Sequence, residues 1–188
     1  MSKPSRILAF SGSSRRESFN QKLLNATVEA ARSAGGDVTA ISLNDYVLPL
    51  YNGDLEDEQG LPENAVKLIA MIAEHDALLI ASPEYNSQIT PLLKNTIDWC
   101  TRAEENPLEG KVAAVISASP GAFGAIRSMT LARQLLTHLG CLVIPTQCIL
   151  PKAAEAFDDA GRLQDARAQK AATAVAKELV RITGRLVG

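Results

Sequence analysis

Two stretches of this sequence combine residue types that could bind a small polar ligand. The first, Ser11-Gly12-Ser13-Ser14-Arg15-Arg16-Glu17-Ser18-Phe19-Asn20, follows the short apolar run Ile7 to Phe10. Its small residues let backbone N–H groups come close to a ligand. The hydroxyls of Ser13 and Ser18 and the amide of Asn20 add neutral donors, and Arg15 or Arg16 adds charge. A helix starting at this point contributes positive potential from its N-terminus. Together these groups read as a phosphate cradle, although Ser, Asn and Gly are also ordinary helix caps. The second stretch, Ser82-Pro83-Glu84-Tyr85-Asn86, sets a flat aromatic among polar backbone and amide groups. A planar heterocycle needs a face to lie against, which Tyr85 offers, and edge donors and acceptors, which Asn86 offers. The plainer reading of Tyr85-Asn86 is a turn.

Other ligand chemistries lack their residues. There is no GxxxxGK followed by Ser or Thr, so a P-loop nucleotide hydrolase has no support. The absence of GxGxxG weakens dinucleotide binding of the Rossmann kind. No acidic pair suited to a phospho-acceptor follows the first run, and no GxSxG elbow supports an α/β-hydrolase. Cys100, Cys141 and Cys148 are odd in number, lack CxxC spacing and read as buried, reduced thiols. With only His75 and His138 in the chain, no metal site is expected. A ligand carrying a single phosphate is the best match.

The elements that must position these stretches show in the apolar pattern. Five runs recur: Ile7–Phe10, Val38–Leu43, Ala77–Ala81, Val112–Ile116 and Leu142–Ile144. Most are continuous rather than alternating, as in strands covered on both faces in a parallel sheet. Segments of helical period separate them: one over Leu23 to Ala34, one from Pro62 with Ala65, Leu68 and Ile72, and one capped by Thr90 before Pro91. A fourth carries Ile126, Met129 and Leu136 and stops at Gly140, and the last runs from about Asp165 to Thr183. Strand and crossover helix in series give an open, doubly wound α/β sandwich of one domain, 1-188. In such sheets ligands gather beyond the C-terminal strand ends, where strand order reverses. The long connection Asn44–Leu61 reads as a functional or solvated loop.

Composition narrows the class further. With 46% hydrophobic and 21% charged residues, the 188-residue chain has material for a sizeable core. A net charge of −2 argues against a nucleic-acid partner. Ile7–Phe10 is too short for a secretory segment, and no run approaches a membrane span, so a cytoplasmic location without membrane contact is expected. Four Phe, three Tyr and one Trp cannot wall a site with rings, so each aromatic inside a motif carries information.

As motifs, these stretches resemble the NAD(P)H-dependent FMN reductase family, the flavodoxin-like group of bacterial quinone, chromate and azo-dye reductases. Gly12 through Asn20 is similar to the family signature GSxRxxSxN, and Pro83 through Trp99 to PEYN followed by a proline and LKNxIDW. Ser117-Ala118-Ser119-Pro120-Gly121-Ala122-Phe123-Gly124-Ala125-Ile126-Arg127 resembles a third, a Ser/Pro/Gly loop leading into an Arg-bearing helix. Weaker similarity extends to Leu48–Leu55 and to Ala156 through Leu163. Three positions depart from it: Ser14 where many members are hydrophobic, Thr90-Pro91 for Pro-Gly, and Gly124-Ala125 for Gly-Gly.

The resemblance implies a flavodoxin-like, five-stranded parallel sheet of order 2-1-3-4-5 with helices on both faces. It implies that Ser13, Arg15, Ser18 and Asn20 hold the phosphate of bound FMN. Pro83, Glu84, Tyr85 and Asn86 would line the isoalloxazine and ribityl, and Ser117 with Gly121 would close the other side. Arg102 falls where members often carry an Arg near the substrate mouth, and it also suits a solvated helix end. Hydride would pass from NADPH or NADH through FMN to a quinone or similar small acceptor by ping-pong exchange, with no catalytic side chain required. A non-enzymatic flavodoxin-type electron carrier and a flavin-free scaffold protein are the alternatives. A homodimer or homotetramer is expected, from the resemblance and from the exposure anticipated for the long second loop and the Trp99 helix.

Overall fold

A computed structural model describes residues 4–187; residues 1–3 and Gly188, the ends of the expected 1–188 domain, lie outside the described part. The first apolar run is strand β1 (Arg6–Ser11), and helix α1 (Phe19–Ser33) follows, capped by Ser18, whose hydroxyl accepts from the Gln21 N–H. Strand β2 (Asp37–Ala40) leads into the long connection, which is not a bare loop. It contains a 3-10 turn at Leu43–Asp45 and a short helix, α2 (Gly53–Gln59), capped by Asn52. That helix carries four acidic residues and no apolar stripe, so hydrophobic period could not reveal it. Helix α3 (Glu63–Glu74) has Pro62 as its cap rather than as its first residue.

Strand β3 (Ala77–Ala81) ends before Pro83, and a two-stranded hairpin of β4 (Glu84–Tyr85) and β5 (Gln88–Ile89) intervenes before helix α4 (Pro91–Cys100). Thr90 caps α4 with Pro91 in its first turn, as the spacing predicts. Strand β6 (Val112–Ala118), helix α5 (Ile126–His138), strands β7 (Leu142–Val143) and β8 (Cys148–Leu150), a 3-10 turn at Ala153–Glu155 and helix α6 (Ala166–Leu186) complete the order.

The main sheet runs β2-β1-β3-β6-β7, and its pairs are parallel. This is the expected 2-1-3-4-5 order with its fifth position filled in two pieces. Strand β7 lies beside Val112–Ala113 and β8 beside Ile116–Ala118. Pro145 falls between them and has no N–H for the ladder.

Side chains of the central strands alternate between two cores. Ile7, Ala9, Leu79, Ala114 and Ile116 pack with Leu23, Leu24 and Val28 of α1 and with Val175 and Leu179 of α6. Leu8, Phe10, Leu78, Ile80 and Val115 pack on the other face with residues of α3, α4 and α5. Both faces are covered, which is why these strands read as unbroken apolar runs. No helix among the described residues is long and apolar enough to cross a membrane.

Candidate functional site

Beyond the C-terminal ends of β1, β3 and β6, three loops line one cleft. The first contributes Ser13, Arg15, Ser18, Phe19 and Asn20, the second Pro83, Glu84 and Tyr85, and the third Ala118, Ser119 and Pro120. Its volume of about 80 Å³ is small beside the ~300–1,000 Å³ of ordinary small-molecule sites. A larger ligand seated here would lie mostly across the open side.

In the first loop the hydroxyls of Ser13 and Ser18 each accept a backbone N–H, from Arg15 and Gln21, at 3.3 Å. Their own protons remain available to donate, the polarity an anion requires. The first turn of α1 carries no acidic residue, and the nearby Glu17 carboxylate is paired with Lys22 at 3.0 Å. The Arg15 side chain is exposed at the rim. These groups suit a phosphate at the helix N-terminus. Gly12 serves packing instead, since a Cβ there would sit 2.8 Å from the Leu93 Cβ, and its smallness admits α4.

Asn20 is buried and bonded in both directions to one residue of β6. Its Nδ2 donates to the Ala118 carbonyl at 2.8 Å, and its Oδ1 accepts the Ala118 N–H at 3.0 Å. The structure therefore makes its amide a strut between two loops, and Asn20 also lines the cleft with a second Nδ2 proton beyond the one given to Ala118. Beneath the loop, Ser11 Oγ is the buried side-chain polar atom without a hydrogen-bond partner among the described residues. Residues of β1 alternate faces, so Ser11 shares the α1 face with Ile7 and Ala9.

In the second loop, Asn86 and Ser87 form the two-residue turn of the hairpin, both at positive φ (51° and 64°). The turn reading of Tyr85-Asn86 is thus correct for Asn86, which is not among the cleft-lining residues. Tyr85 lines the cleft and is 45% exposed, so its ring is available as a flat surface. The Glu84 carboxylate is committed elsewhere: one oxygen accepts the backbone N–H groups of both Arg127 and Ser128 at 3.1 Å.

In the third loop, Ser117 is fully buried and donates to the Gly124 carbonyl at 2.7 Å. It shapes the loop from within and does not face the cleft. Gly121 flanks the lining residues, its N–H donating to Ser119 Oγ and its carbonyl accepting the Lys152 N–H. Gly124 must be glycine, because a Cβ would lie 2.6 Å from the Ile149 side chain. The departure from Gly-Gly puts Ala125 in the left-handed region at φ 64°, a costly place for a non-glycine. Phe123, 64% exposed, stands on this loop with the Arg127 guanidinium 5.0 Å from its ring centroid. Residue type alone does not single out Phe19, Ala118, Ser119 or Pro120 as site residues. All of them sit inside the quoted motifs, so topology plus motif could have found them.

Arg102 is not brought to the cleft. It lies beyond the far end of α4, its Nε donating to both carboxylate oxygens of Glu56 at 2.9 and 3.0 Å, over the Tyr51 ring. The hydrogen bond to Glu56 raises the pKa of both Arg102 and Tyr51. The Trp99 helix is also less open than expected. Trp99 is fully buried, stacks edge-on with Tyr51 and donates from Nε1 to the Pro49 carbonyl at 2.8 Å. All three cysteines are buried as expected, and burial pushes their thiols up to about 12. Among the described residues no cluster of His, Cys, Asp and Glu could hold a metal. A second cavity, about 620 Å³, lies on the other side of the third loop, against Phe123, Ile149, Lys152 and the start of α6.

Comparison with known proteins gives this arrangement a context. The sequence profile of a family described as NADPH-dependent FMN reductase matches residues 5–155. The chain is 36% identical over 172 residues to the NAD(P)H-dependent FMN reductase PA1204 of Pseudomonas aeruginosa, covering 90% of each. It is 38% identical over 157 residues to a quinone reductase of Pseudomonas putida, covering 82% of each. Among solved structures it superposes on FerB, a flavoenzyme NAD(P)H:(acceptor) oxidoreductase from Paracoccus denitrificans, with a TM-score of 0.83 at 30% identity. That match covers 96% of this chain and 98% of FerB.

Proposed function

The chain belongs to the NADPH-dependent FMN reductase family, and from that premise we propose that it uses FMN in the three-loop cleft to reduce a quinone or similar small acceptor. It is an NAD(P)H-dependent flavin reductase of a flavodoxin-like fold. Convergence of the Ser13–Ser18, Pro83–Tyr85 and Ala118–Pro120 loops at the point where strand order reverses carries the proposal. Bound FMN would take hydride from NAD(P)H and pass it to the acceptor, the two substrates occupying the same open side in turn.

The protein's own part is binding and orientation. Ser13 and Ser18 donate hydroxyl protons to the phosphate, the α1 N-terminus adds positive potential, and Arg15 adds a charge at the rim. Tyr85 offers a ring face to the flat end of the ligand, with the backbone of Ala118–Pro120 opposite. Asn20 and Ser117 act one step back, holding the first and third loops in shape. Arg102 has no part in this reading.

The small volume of the cleft supports a homo-oligomer in which a second copy extends one edge of the cleft and leaves its open side to the two substrates. Val47 and Leu50 on the long connection are 75% and 80% exposed, and Val66 on α3 is 50% exposed, giving apolar surface near that connection. We read the whole of 1-188 as the flavin-binding domain of such an assembly.

Absorbance of the purified protein, FMN titration and NAD(P)H oxidation with a quinone test the proposal together. Flavin absorbance, saturable FMN binding and quinone-dependent turnover are expected. FMN binding without turnover points to an electron carrier, and absence of FMN binding rejects the site. A monomer mass by solution scattering at micromolar concentration rejects the oligomer.

A further inference from the structure

Helix α5 begins without a cap of its own. The residue before it, Ala125, adopts the left-handed conformation and has no side chain able to accept a hydrogen bond. The first amides of the helix need partners. Two of them, at Arg127 and Ser128, donate to a single oxygen of Glu84, which lies 43 and 44 positions earlier in the chain. The other Glu84 oxygen lies 3.5 Å from the Arg127 guanidinium.

The same junction is bonded a second time. Ser128 is fully buried, and its hydroxyl donates to the Pro83 carbonyl at 2.5 Å while lying 2.8 Å from Ser82 Oγ. Pro83 and Glu84 start the hairpin that presents Tyr85, and α5 starts where the Ala118–Gly124 loop ends. The Glu84 contact therefore ties one wall of the cleft to the base of the other. Its carboxylate also neutralises the positive end of α5, so that helix offers an anion little attraction.

We propose that Glu84 is a positioning residue: it caps α5 from the hairpin and so fixes the separation of the Tyr85 wall from the Ala118–Pro120 wall. This rests on the reading of the cleft as the FMN site, and it assigns Glu84 a role through α5 rather than through contact with flavin. Glu84→Gln keeps an oxygen able to accept both N–H groups, whereas Glu84→Ala removes the acceptor.

The test has two arms. In FMN-free protein, hydrogen exchange at the Arg127 and Ser128 amides reads the cap directly. Exchange at least about tenfold faster is expected in Glu84→Ala, with Glu84→Gln close to wild type. In the second arm, FMN titration is expected to give a dissociation constant about tenfold weaker for Glu84→Ala and within about threefold of wild type for Glu84→Gln. Thermal melting of both apo variants shows that folded protein is being compared. Unchanged exchange in Glu84→Ala overturns the cap, and unchanged FMN affinity overturns its effect on the walls. Equal losses in both variants would mean that charge, not cap geometry, is what matters, which also overturns the proposal. If wild type itself binds no FMN, the cleft assignment and the effect on it fall, while the exchange arm still decides the cap.

Discussion

Asn20 and Ala118 are locked by a reciprocal pair of hydrogen bonds across 98 positions of sequence. The carboxamide donates to the Ala118 carbonyl and accepts the Ala118 N–H, which fixes the loop after β1 against the end of β6. A carboxamide in this orientation satisfies both backbone groups at neutral pH, where a carboxylate could only accept. Asn20→Ala leaves two buried backbone groups without these partners, and a loss of about 2–4 kcal/mol in unfolding free energy is expected. Asn20→Asp keeps one acceptor and loses the donor, so its loss should be smaller than that of Asn20→Ala at acidic pH, where the acid regains a donor. Urea unfolding of the three proteins checks the order.

Ser11 sets up the opposite situation, a buried hydroxyl with no partner among the described residues. Ser11→Ala is expected to stabilise the FMN-free protein by about 1 kcal/mol, because a desolvated, unsatisfied group is removed. If a bound ligand supplies the missing partner, wild type recovers that difference when FMN is added. Thermal melting with and without FMN measures both values; an equal difference in each condition assigns the hydroxyl no ligand.

Gly124 combines positive φ with close contact against the consecutive residues Ile149, Leu150 and Pro151. A Cβ would lie 2.6 Å from Ile149 Cγ2 and 2.9 Å from backbone atoms of Leu150 and Pro151. Gly124→Ala is expected to cost more than about 2 kcal/mol, from left-handed strain and displacement of β8 together. Gly121, at the exposed tip of the same loop, meets only Ser119 Oγ at 3.5 Å. Gly121→Ala should stay near wild type, so the pair of denaturation curves separates a packing requirement from general loop sensitivity.

The cysteines make a pH prediction. Their folded pKa values, about 12, lie above the ~8.5 of an exposed thiol. The unfolded chain then releases these protons first, so the thiols contribute stability below about pH 8.5 and that contribution is lost as pH rises toward 12. In native protein at pH 8 the three thiols should resist a thiol-reactive chromogen, and all three should react after denaturation. Rapid reaction of any one in the native state would contradict its burial.

Much of the fold was legible in the amino-acid order because its signals are local. Continuous apolar runs marked β1, β3 and β6, helical period marked α1 and α3, and Thr90-Pro91 marked the start of α4. Helix α2 was not legible, since an acidic, exposed helix buries no stripe. The loops after β1 and β3 could be located because strand ends in a doubly wound sheet are placed by topology, and the loop after β6 through its resemblance to a family motif.

What each side chain does there was decided only by tertiary structure. Ser13, Ser18 and Tyr85 keep free atoms at the cleft, as their types suggest. Asn20, Glu84 and Ser117 belong to the same motifs, yet their polar atoms are taken by Ala118, by Arg127 and Ser128, and by Gly124. Arg102, near in sequence to the Trp99 motif, is drawn off to Glu56. Residue type and period were enough for the central strands, the long helices and the parallel sheet, whereas α2, the β4–β5 hairpin and the split of the last strand carry no such local signal. Tertiary structure alone decided which donors and acceptors remain free for a ligand. A polar group is spent or available according to the partner packed against it, and for Asn20 and Glu84 that partner comes from a distant part of the chain.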